Sequence, residues 1–173
     1  MTNNPSIYLI TGIMASGKST VAEVLAKRIE KSVHLRGDVF RKMIVSGRVE
    51  ITENFTEEAF RQLLLRYKIT AMAAKEYHEA GFNVIIQDNY YGKMLGKMAE
   101  LLLPYTPKII VLNPGVDAVM KREESRNKTG YTGFDIAKLH ENFLNETPKL
   151  GYWIDTSNLT PEATVQKILE YYG

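Results

Sequence analysis

Residues 7–19 read IYLITGIMASGKS, and this stretch decides the fold. Its first four residues form a continuous apolar run, which is typical of a strand buried inside a parallel sheet. Residues 12–19 then match the pattern G-x-x-x-x-G-K-S in full. Beyond the match, apolar residues recur at helical spacing, at Val21, Val24, Leu25 and Ile29. We therefore predict a strand, a glycine-rich turn and a helix in direct succession.

The glycine-rich turn has the composition of a loop that binds phosphate. Glycines let the backbone curl so that successive N–H groups point at one anion, and the following helix adds the positive end of its dipole. Lys18 is predicted to contact the β- and γ-phosphates of ATP, and the Ser19 hydroxyl to ligate Mg²⁺. Thr20 is either a residue of the first helical turn or a contact to the α-phosphate. The alternative is a turn that merely packs the helix on the strand, and the adjacent Lys-Ser pair argues against it. The predicted nucleotide-binding residues of this turn are Gly12, Ala15, Ser16, Gly17, Lys18, Ser19 and Thr20.

Four further short apolar segments predict strands, and helical patterns separate them. The strand segments are 33–35, 84–86, 109–112 and 152–154. The helices include a long one from about Thr56 to Ala80, one opened by Asn113-Pro114, one capped by Asp135, and a last one that starts at Thr160-Pro161. Strands alternating with helices predict an α/β fold with a parallel sheet covered on both faces. Ligands of such sheets bind at the carboxyl ends of the strands, so candidate functional residues are sought there.

The composition excludes several classes of protein. The chain has 173 residues with 22 basic and 20 acidic side chains, three His and no Cys. Without Cys there is no disulfide framework, thiolate zinc site or cysteine nucleophile. We expect a cytoplasmic protein, because no apolar run approaches a membrane span and no basic segment precedes an apolar one at the start. A net charge of +2 does not favour nucleic acid as a partner.

Asp38 follows the second predicted strand, in the segment Leu35-Arg36-Gly37-Asp38. Asp is a common helix N-cap residue, and this structural role alone would account for an Asp at position 38. A carboxylate at this place is also suited to accept the proton of a substrate hydroxyl or to orient it. Arg41 lies one helical turn further on, and together with Arg36 it would suit an anionic substrate group. A solvated helix face is the alternative for Arg41.

Asp88 ends the third predicted strand, in the segment Ile85-Ile86-Gln87-Asp88. An apolar strand ending in Asp resembles a Walker B carboxylate, which holds Mg²⁺ directly or through water. Asp88 is therefore a predicted metal and substrate residue beside Ser19, although it would equally serve to end the strand in a turn. Tyr90 either walls the substrate pocket or covers the sheet edge.

Arg122 and Arg126 are spaced four residues apart after the fourth predicted strand. They either form a solvated helix end or belong to a lid over the triphosphate that offsets charge developing during transfer. Gly130 and Gly133 would let such a lid move. The turn after the fifth strand, at Thr156, either contacts the adenine ring through its backbone or serves only as a turn and helix cap, and the residues alone do not separate the two.

These motifs together resemble small phosphate-loop (P-loop) kinases, the group that includes adenylate, shikimate and gluconate kinases. In particular, the sequence resembles chloramphenicol phosphotransferase-like proteins and predicted kinases of the AAA family. The resemblance covers essentially the whole chain and rests on residues 12–19, 36–41, 84–88, 122–126 and 153–157. It implies a P-loop NTPase three-layer α/β/α sandwich with a five-stranded sheet ordered 2-3-1-4-5.

The resemblance also implies roles for individual segments. A single kinase domain over residues 1–173 would hold an acceptor-binding region at about 38–80 and a lid at 122–134. Asp38 would bind the acceptor hydroxyl and act as its base, while Lys18, Arg122 and Arg126 would assist transfer. The implied ligands are ATP, Mg²⁺ and a small-molecule hydroxyl acceptor, with no nucleic acid or membrane partner. We expect a monomer or homodimer.

The segment after Asp88 departs from two of these families. Nucleoside monophosphate kinases usually carry an Arg there and shikimate kinases a Gly-rich turn, whereas residues 89–93 read NYYGK. A hydroxylated small molecule, with an antibiotic among the candidates, is therefore the preferred acceptor. The alternatives are a protein that sequesters a drug, as tunicamycin-resistance proteins of similar fold suggest, a nucleotide or nucleoside kinase, and a polynucleotide 5′-hydroxyl kinase.

Overall fold

The computed structural model of the chain describes residues 4–50, 56–125 and 135–173. Five strands alternate with seven helices over these ranges. The strands are β1 (Ile7–Thr11), β2 (Ser32–Arg36), β3 (Asn83–Gln87), β4 (Lys108–Leu112) and β5 (Tyr152–Ile154). The helices are α1 (Lys18–Arg28), α2 (Asp38–Lys42), α3 (Glu57–Glu79), α4 (Lys93–Leu101), α5 (Val116–Glu124), α6 (Ile136–Glu146) and α7 (Pro161–Tyr172).

The strands form one parallel sheet in the order β2-β3-β1-β4-β5. The central strand β1 pairs on both sides, so that Leu9 lies opposite Ile86 on β3 and Ile109 on β4. All five predicted strands are present, and the predicted order is confirmed. Because β1 is central, the turn that follows it lies in the middle of the sheet's carboxyl edge.

Each face of the sheet packs against its own set of helices. On one face, Leu9, Ile86 and Val111 share a buried cluster with side chains of α3, α4, α5 and α6. On the other face, Ile10 and Ile85 pack with side chains of α1 and α7. Residues of both faces are apolar because neither face meets water, which explains the continuous apolar runs in the sequence. The predicted three-layer arrangement is confirmed.

The helix starts differ from the predictions at two places. The helix predicted to open at Asn113-Pro114 begins two residues later, with Gly115 as the N-cap of α5. The backbone N–H of Asn113 still donates to the Ile154 carbonyl, so this residue continues the sheet edge rather than the helix. Gly37 is the N-cap of α2, and Asp38 is its first residue.

The predicted cap at Asp135 is confirmed, and two further helices also begin with a side-chain cap. The side chains of Asp135 and Thr160 accept hydrogen bonds from backbone N–H groups at the starts of α6 and α7. Thr56 does the same for α3. No helix among the described residues is both long and apolar enough to span a membrane.

Candidate phosphotransfer site

The turn between β1 and α1 is closely packed against the sheet. A methyl group at Gly12 would collide with the Leu112 carbonyl oxygen and lie 2.6 Å from Ser16 Oγ. Gly12 and Gly17 have φ angles of +148° and +96°, which side chains other than hydrogen rarely permit. Glycine is therefore needed at both positions because of the backbone conformation, and at position 12 also because a side chain would not fit.

Lys18 begins α1 and turns back into this loop. Its ammonium donates to the carbonyls of Gly12 at 2.8 Å and Ile13 at 2.7 Å, and its side chain is nearly buried. Ser19 and Thr20 lie exposed on the first helical turn, which contains no acidic residue. The N-terminus of α1 thus presents a lysine ammonium, two hydroxyls and backbone N–H groups, and no acidic side chain offsets the positive end of the helix dipole. This arrangement binds phosphate.

A cavity of about 680 Å³ opens beside the loop at the carboxyl ends of the strands. It contains five basic side chains and two acidic ones, so its electrostatic character favours an anionic ligand. Its size lies within the range typical of small-molecule sites. The charged residues of the lining are Lys18, Arg36, Asp38, Lys42, Arg66, Asp88 and Arg122.

Asp38 faces this cavity from the start of α2. Its side chain is 44% exposed and forms ion pairs with Arg41 at 3.2 Å and Lys42 at 2.9 Å. Partial burial raises the pKa of the Asp38 carboxyl, but hydrogen bonds from Lys42 and Arg41 outweigh it and leave the pKa below its ordinary value. Asp38 is therefore an ionised hydrogen-bond acceptor at neutral pH.

Arg36 and Arg41 occupy different positions around Asp38. Arg36 lines the cavity, as the prediction of an anion-binding residue requires. Arg41 is outside the lining and instead bridges Asp38 to Glu50, whose carboxylate it contacts at 2.7 Å. The expectation that Arg41 binds substrate directly is not supported by this position, because its guanidinium is held between two carboxylates.

Arg66 was missed by sequence reasoning. It lies in the middle of α3 with only 7% of its side chain exposed, and its Nε is 3.0 Å from Asp88 Oδ2. Its Nη2 donates to Asp88 Oδ1 at 3.2 Å, and its Nη1 lies 3.8 Å from Asp38 Oδ1. A sequence signal exists, since Arg66 lies one helical turn from Leu63 on the side of the helix that carries the apolar stripe of Leu63, Tyr67 and Ala71.

Asp88 is almost fully enclosed by these contacts. Besides Arg66, the N–H of Asn89 donates to its Oδ1 at 2.8 Å. Burial raises the pKa of Asp88, and the neighbouring Arg66 opposes this effect. Direct ligation of Mg²⁺ by Asp88, one of the two expectations, does not fit this arrangement, because both carboxylate oxygens face Arg66. The expectation of a contact through water is compatible with it.

The remaining donor set fits a magnesium ion that arrives with a nucleotide. Mg²⁺ is usually held by one or two protein ligands together with phosphate oxygens and waters. The described residues contain no group of three His, Cys, Asp or Glu side chains that would form a self-sufficient metal site. The exposed Ser19 hydroxyl at the phosphate-binding turn, 3.5 Å from Gln87 Oε1, is the protein group that would hold the ion.

Tyr90 is a core residue, which corrects the expectation that it walls the substrate pocket. Its side chain is completely buried and its ring packs on Tyr67 with centroids 4.8 Å apart. Its backbone N–H donates to Thr11 Oγ1 on β1 at 3.0 Å. Tyr90 belongs to the buried cluster on the face of the sheet that α3, α4, α5 and α6 cover, and it is outside the cavity lining.

Arg122 lies in the last turn of α5 and connects two sides of the cavity. Its Nη1 donates to the Ser16 carbonyl at 3.2 Å and its Nη2 to the Thr156 carbonyl at 2.6 Å. The residue predicted as part of a lid is thus tied directly to the phosphate loop and to the turn after β5. The predicted lid residues Arg126, Gly130 and Gly133 lie outside the described residues.

Gly37 gives a testable prediction for the packing of this site. A methyl group at residue 37 would overlap Asp88 Oδ2, although the φ of −56° is ordinary for any residue. We expect Gly37→Ala to lower the free energy of unfolding by about 1–3 kcal/mol, because the buried ion pair must shift. Urea unfolding measures this change.

Gly96→Ala is the matched control. Gly96 lies within α4 and has open space around its Cα, so the substitution should raise stability by about 0.5–1 kcal/mol. Equal effects of the two substitutions would contradict the proposed contact between Gly37 and Asp88.

The fold and this site together define a P-loop protein with the kinase type of α/β sheet. A glycine-rich turn after the central strand, a buried lysine and a basic cavity at the strand ends are its distinguishing features. The chain belongs to the AAA_33 family of AAA domains, whose family model matches residues 7–142.

Known proteins of similar sequence and structure agree with this assignment. The sequence is 26% identical over 183 aligned positions to cytidylate kinase of Sulfurisphaera tokodaii, covering 96% of this chain and 94% of that protein. The structure is similar to APS kinase of Mycobacterium tuberculosis solved with AMPPNP and APS, with a TM-score of 0.72, 13% identity and 98% coverage of both chains. It is also similar to the tunicamycin resistance protein of Deinococcus radiodurans, with a TM-score of 0.70, 15% identity and coverage of 98% and 96%. The predicted resemblance to small P-loop kinases is confirmed.

Proposed function

We propose that this protein is a magnesium- and ATP-dependent phosphotransferase that phosphorylates a hydroxyl group of a small molecule. The observation that carries the proposal is the position of Asp38. This ionised, partly exposed carboxylate lines the same cavity as the phosphate loop and stands on the β2 side of it. A hydroxyl bound there would have a hydrogen-bond acceptor directed at its proton while its oxygen faces the phosphates.

The reaction follows from these positions. The acceptor oxygen forms a bond to the γ-phosphorus, the bond from that phosphorus to the β–γ bridging oxygen breaks, and ADP leaves. The hydroxyl proton passes toward Asp38 and then to solvent. Mg²⁺, when bound, neutralises charge on the phosphate oxygens. Lys18 and the N–H groups of the loop offset the remaining charge, and the depressed pKa of Asp38 suits orientation of the hydroxyl more than strong general-base catalysis.

The charge around Asp38 indicates an acceptor that carries an anionic group. Arg36 and Lys42 line the cavity beside Asp38, and both are exposed to solvent. A cation beside the acceptor oxygen would bind a carboxylate or phosphate elsewhere on the same molecule. Hydroxy acids, sugar acids and phosphorylated alcohols are accordingly the first acceptors to examine, with hydroxylated antibiotics as a further class.

A nucleoside monophosphate kinase is the second candidate, and the cytidylate kinase relative favours it. The excess of basic over acidic side chains in the cavity would also suit a monophosphate. Asp38 argues against this candidate, because a phosphate acceptor has no hydroxyl proton to give up and a carboxylate would repel it. Sequestration of a drug is a third candidate, because the structure is similar to that of a tunicamycin resistance protein.

Product formation from MgATP distinguishes these candidates. The purified protein is incubated with MgATP and, in separate reactions, with hydroxy acids, sugar acids, antibiotics, nucleosides, CMP, UMP or AMP, and ³¹P NMR identifies any product. A phosphate ester on an alcohol supports the proposal, and a nucleoside diphosphate supports the second candidate. Absence of every product, together with ATP turnover that no acceptor changes, would favour sequestration.

Lys18→Met tests the phosphate loop within the same proposal. Loss of the charge-assisted hydrogen bonds from Lys18 should weaken MgATP binding by about 1.5–3 kcal/mol, roughly 10- to 150-fold in Kd. Isothermal titration calorimetry measures the change, with Lys27→Met on the exposed end of α1 as control. Unchanged affinity in Lys18→Met would refute the assignment of this loop to ATP.

A further inference from the structure

Two consecutive polar residues at the end of β3 face opposite sides of the sheet. Ile86 packs with side chains of α3 and α4 on one face, and Ile85 packs with side chains of α1 and α7 on the other. Because side chains alternate along a strand, Gln87 shares the side of Ile85, and Asp88 follows on the side of Ile86. Their contacts agree with this alternation, since Asp88 pairs with a side chain of α3 and Gln87 contacts Ser19 of α1.

Gln87 lies directly beside the phosphate loop. Its Cα is paired with that of Ile10 on β1, two residues before Gly12 begins the glycine-rich turn. Gln87 is only 6% exposed and lines the cavity together with Ser19. The Ser19 hydroxyl donates to Gln87 Oε1 at 3.5 Å. A buried amide oxygen therefore faces the hydroxyl that would hold Mg²⁺.

This contact suits the chemistry of a hydroxyl that ligates a cation. The hydroxyl oxygen gives a lone pair to the ion, so its proton points away from the ion and needs an acceptor. Gln87 Oε1 is in place to accept the proton of the Ser19 hydroxyl. Hydrogen bonds of this outer kind orient a metal ligand, and metal affinity falls when they are removed.

Asp88 is engaged on the other side of the strand. Its Oδ2 lies 3.0 Å from Arg66 Nε, and its Oδ1 accepts from Arg66 Nη2 at 3.2 Å and from the N–H of Asn89 at 2.8 Å. Phosphate-loop enzymes ordinarily combine the loop hydroxyl with a carboxylate at the ion. Here the carboxylate is paired with a guanidinium, and the side chain that faces the loop hydroxyl is a neutral amide.

We propose that Gln87, and not Asp88, orients the Ser19 hydroxyl on the magnesium ion of MgATP, an inference that rests on the proposed function. Gln87 is a positioning residue, because it acts on the ion through Ser19. An amide carries no charge, so the negative charge that balances the ion comes from the phosphates of the nucleotide. The gain in nucleotide affinity that Mg²⁺ provides should therefore depend on the side chain at position 87.

Calorimetric titration with AMPPNP, the imido analogue of ATP that resists hydrolysis, tests this inference without an acceptor. The Kd is measured at pH 8 with excess Mg²⁺ and again with EDTA, and the ratio of the two constants is the coupling between ion and nucleotide. Gln87→Leu removes the acceptor at similar volume and should reduce this ratio about 3- to 10-fold. Gln87→Glu places a carboxylate beside Ser19 and should increase the ratio by about tenfold or more, because charge-assisted hydrogen bonds are stronger.

Two controls separate this role from packing and from Asp88. Gln166→Leu makes the same change on the exposed face of α7, where the side chain bonds to Arg28 and Glu170, and should leave the ratio unchanged. The double variant Arg66→Met/Asp88→Leu removes the Asp88 carboxylate and should also keep the wild-type ratio. Urea unfolding shows that each variant is folded before it is titrated.

The ratio also decides against the inference in defined cases. A purely structural role of Gln87 would weaken AMPPNP equally with Mg²⁺ and with EDTA, and the unchanged ratio in Gln87→Leu would overturn the inference. A fall of the ratio in Gln87→Glu, or a fall in the double variant as large as that in Gln87→Leu, would overturn it as well.

The wild-type titration distinguishes failure of this inference from failure of the proposed function. If AMPPNP binds equally well with Mg²⁺ and with EDTA, no ion is held at Ser19 and the inference fails, while the assignment of the loop to ATP stands. If AMPPNP binds under neither condition, the proposed function fails and the inference with it.

Discussion

Replacement of Asp38 by Asn is expected to lower kcat about 10- to 150-fold, the effect of losing one charge-assisted hydrogen bond to the acceptor hydroxyl, measured with an acceptor that the product assay identifies. The amide has nearly the same shape but cannot take the hydroxyl proton, and it presents a donor where the carboxylate presents an acceptor. The affinity for MgATP should change little, because Asp38 lies on the acceptor side of the loop. Steady-state kinetics of the phosphorylation, combined with calorimetry for MgATP, measures both quantities.

Glu50→Gln is the matched control for Asp38→Asn. Glu50 contacts Arg41 Nη1 at 2.7 Å, whereas Asp38 contacts Arg41 Nε, and Glu50 is outside the cavity lining, so this variant removes a neighbouring carboxylate without changing the proposed acceptor site. We expect kcat to remain within about threefold of the wild type, as for the loss of an exposed ion pair. A drop in Glu50→Gln as large as that in Asp38→Asn would contradict a direct role for Asp38.

The pKa of Asp38 also predicts how the stability and the activity of the protein depend on pH. Because Lys42 and Arg41 outweigh the effect of burial, the folded-state pKa lies below the ordinary value of 3.8. The carboxylate therefore stays ionised throughout neutral and mildly acidic solution. Its contribution to stability is present above the unfolded-state pKa and is lost as pH falls through the folded-state pKa. Activity that declined on acidification well above pH 3.8 would have to depend on another group.

Replacement of Arg66 by Met is expected to destabilise the protein by about 3–5 kcal/mol. The substitution preserves much of the side-chain volume but leaves the Asp88 carboxylate buried without its cation. For a chain of this size the melting temperature should fall by about 2–4 °C per kcal/mol. Urea unfolding and thermal melts measure the loss, and a cost below about 1 kcal/mol would contradict the importance of this ion pair.

Two further variants show that the loss comes from the unpaired charge. Arg66→Lys keeps the charge but not the planar fork, so its cost should be intermediate. The double variant Arg66→Met/Asp88→Leu removes both charges and should recover most of the stability, because an apolar pair often replaces a buried ion pair without loss. If the double variant were as unstable as Arg66→Met, altered packing rather than charge would be responsible.

The pH dependence of the stability of Arg66→Met should reflect the titration of the Asp88 carboxyl. Burial already raises the pKa of Asp88, and removal of Arg66 takes away the main opposing effect. A carboxyl whose folded-state pKa is raised loses stability as pH rises through that pKa and regains it as pH falls. The difference in stability between Arg66→Met and wild type should therefore shrink on acidification.

Sequence patterns predicted the phosphate loop because its determinants are local. The apolar strand, the two glycines and the Lys-Ser pair are adjacent in the chain, and the backbone conformations of Gly12 and Gly17 depend on their own residue type. The positions of Asp38 and Asp88 were also predictable, since each directly follows a strand whose apolar pattern identifies it.

The partners of these residues were not predictable in the same way. Arg66 meets Asp88 across 22 positions of sequence, and Arg122 meets Ser16 across 106. Such contacts depend on how α3 and α5 pack on the sheet. The burial of Tyr90 was open from sequence for the same reason, because a tyrosine after a strand turns toward the core or the cavity according to the turn that precedes it.

The sequence by itself thus determined that the chain forms a parallel sheet with a phosphate loop after its first strand, because strand periodicity and glycine conformation are properties of neighbouring residues. Only the tertiary structure decided which charges meet. Arg66 neutralises Asp88, Lys42 and Arg41 keep Asp38 ionised, and Arg122 occupies the Thr156 carbonyl. These pairings fix the chemistry of the cavity, and they exist because packing brings distant segments within a few ångströms of each other.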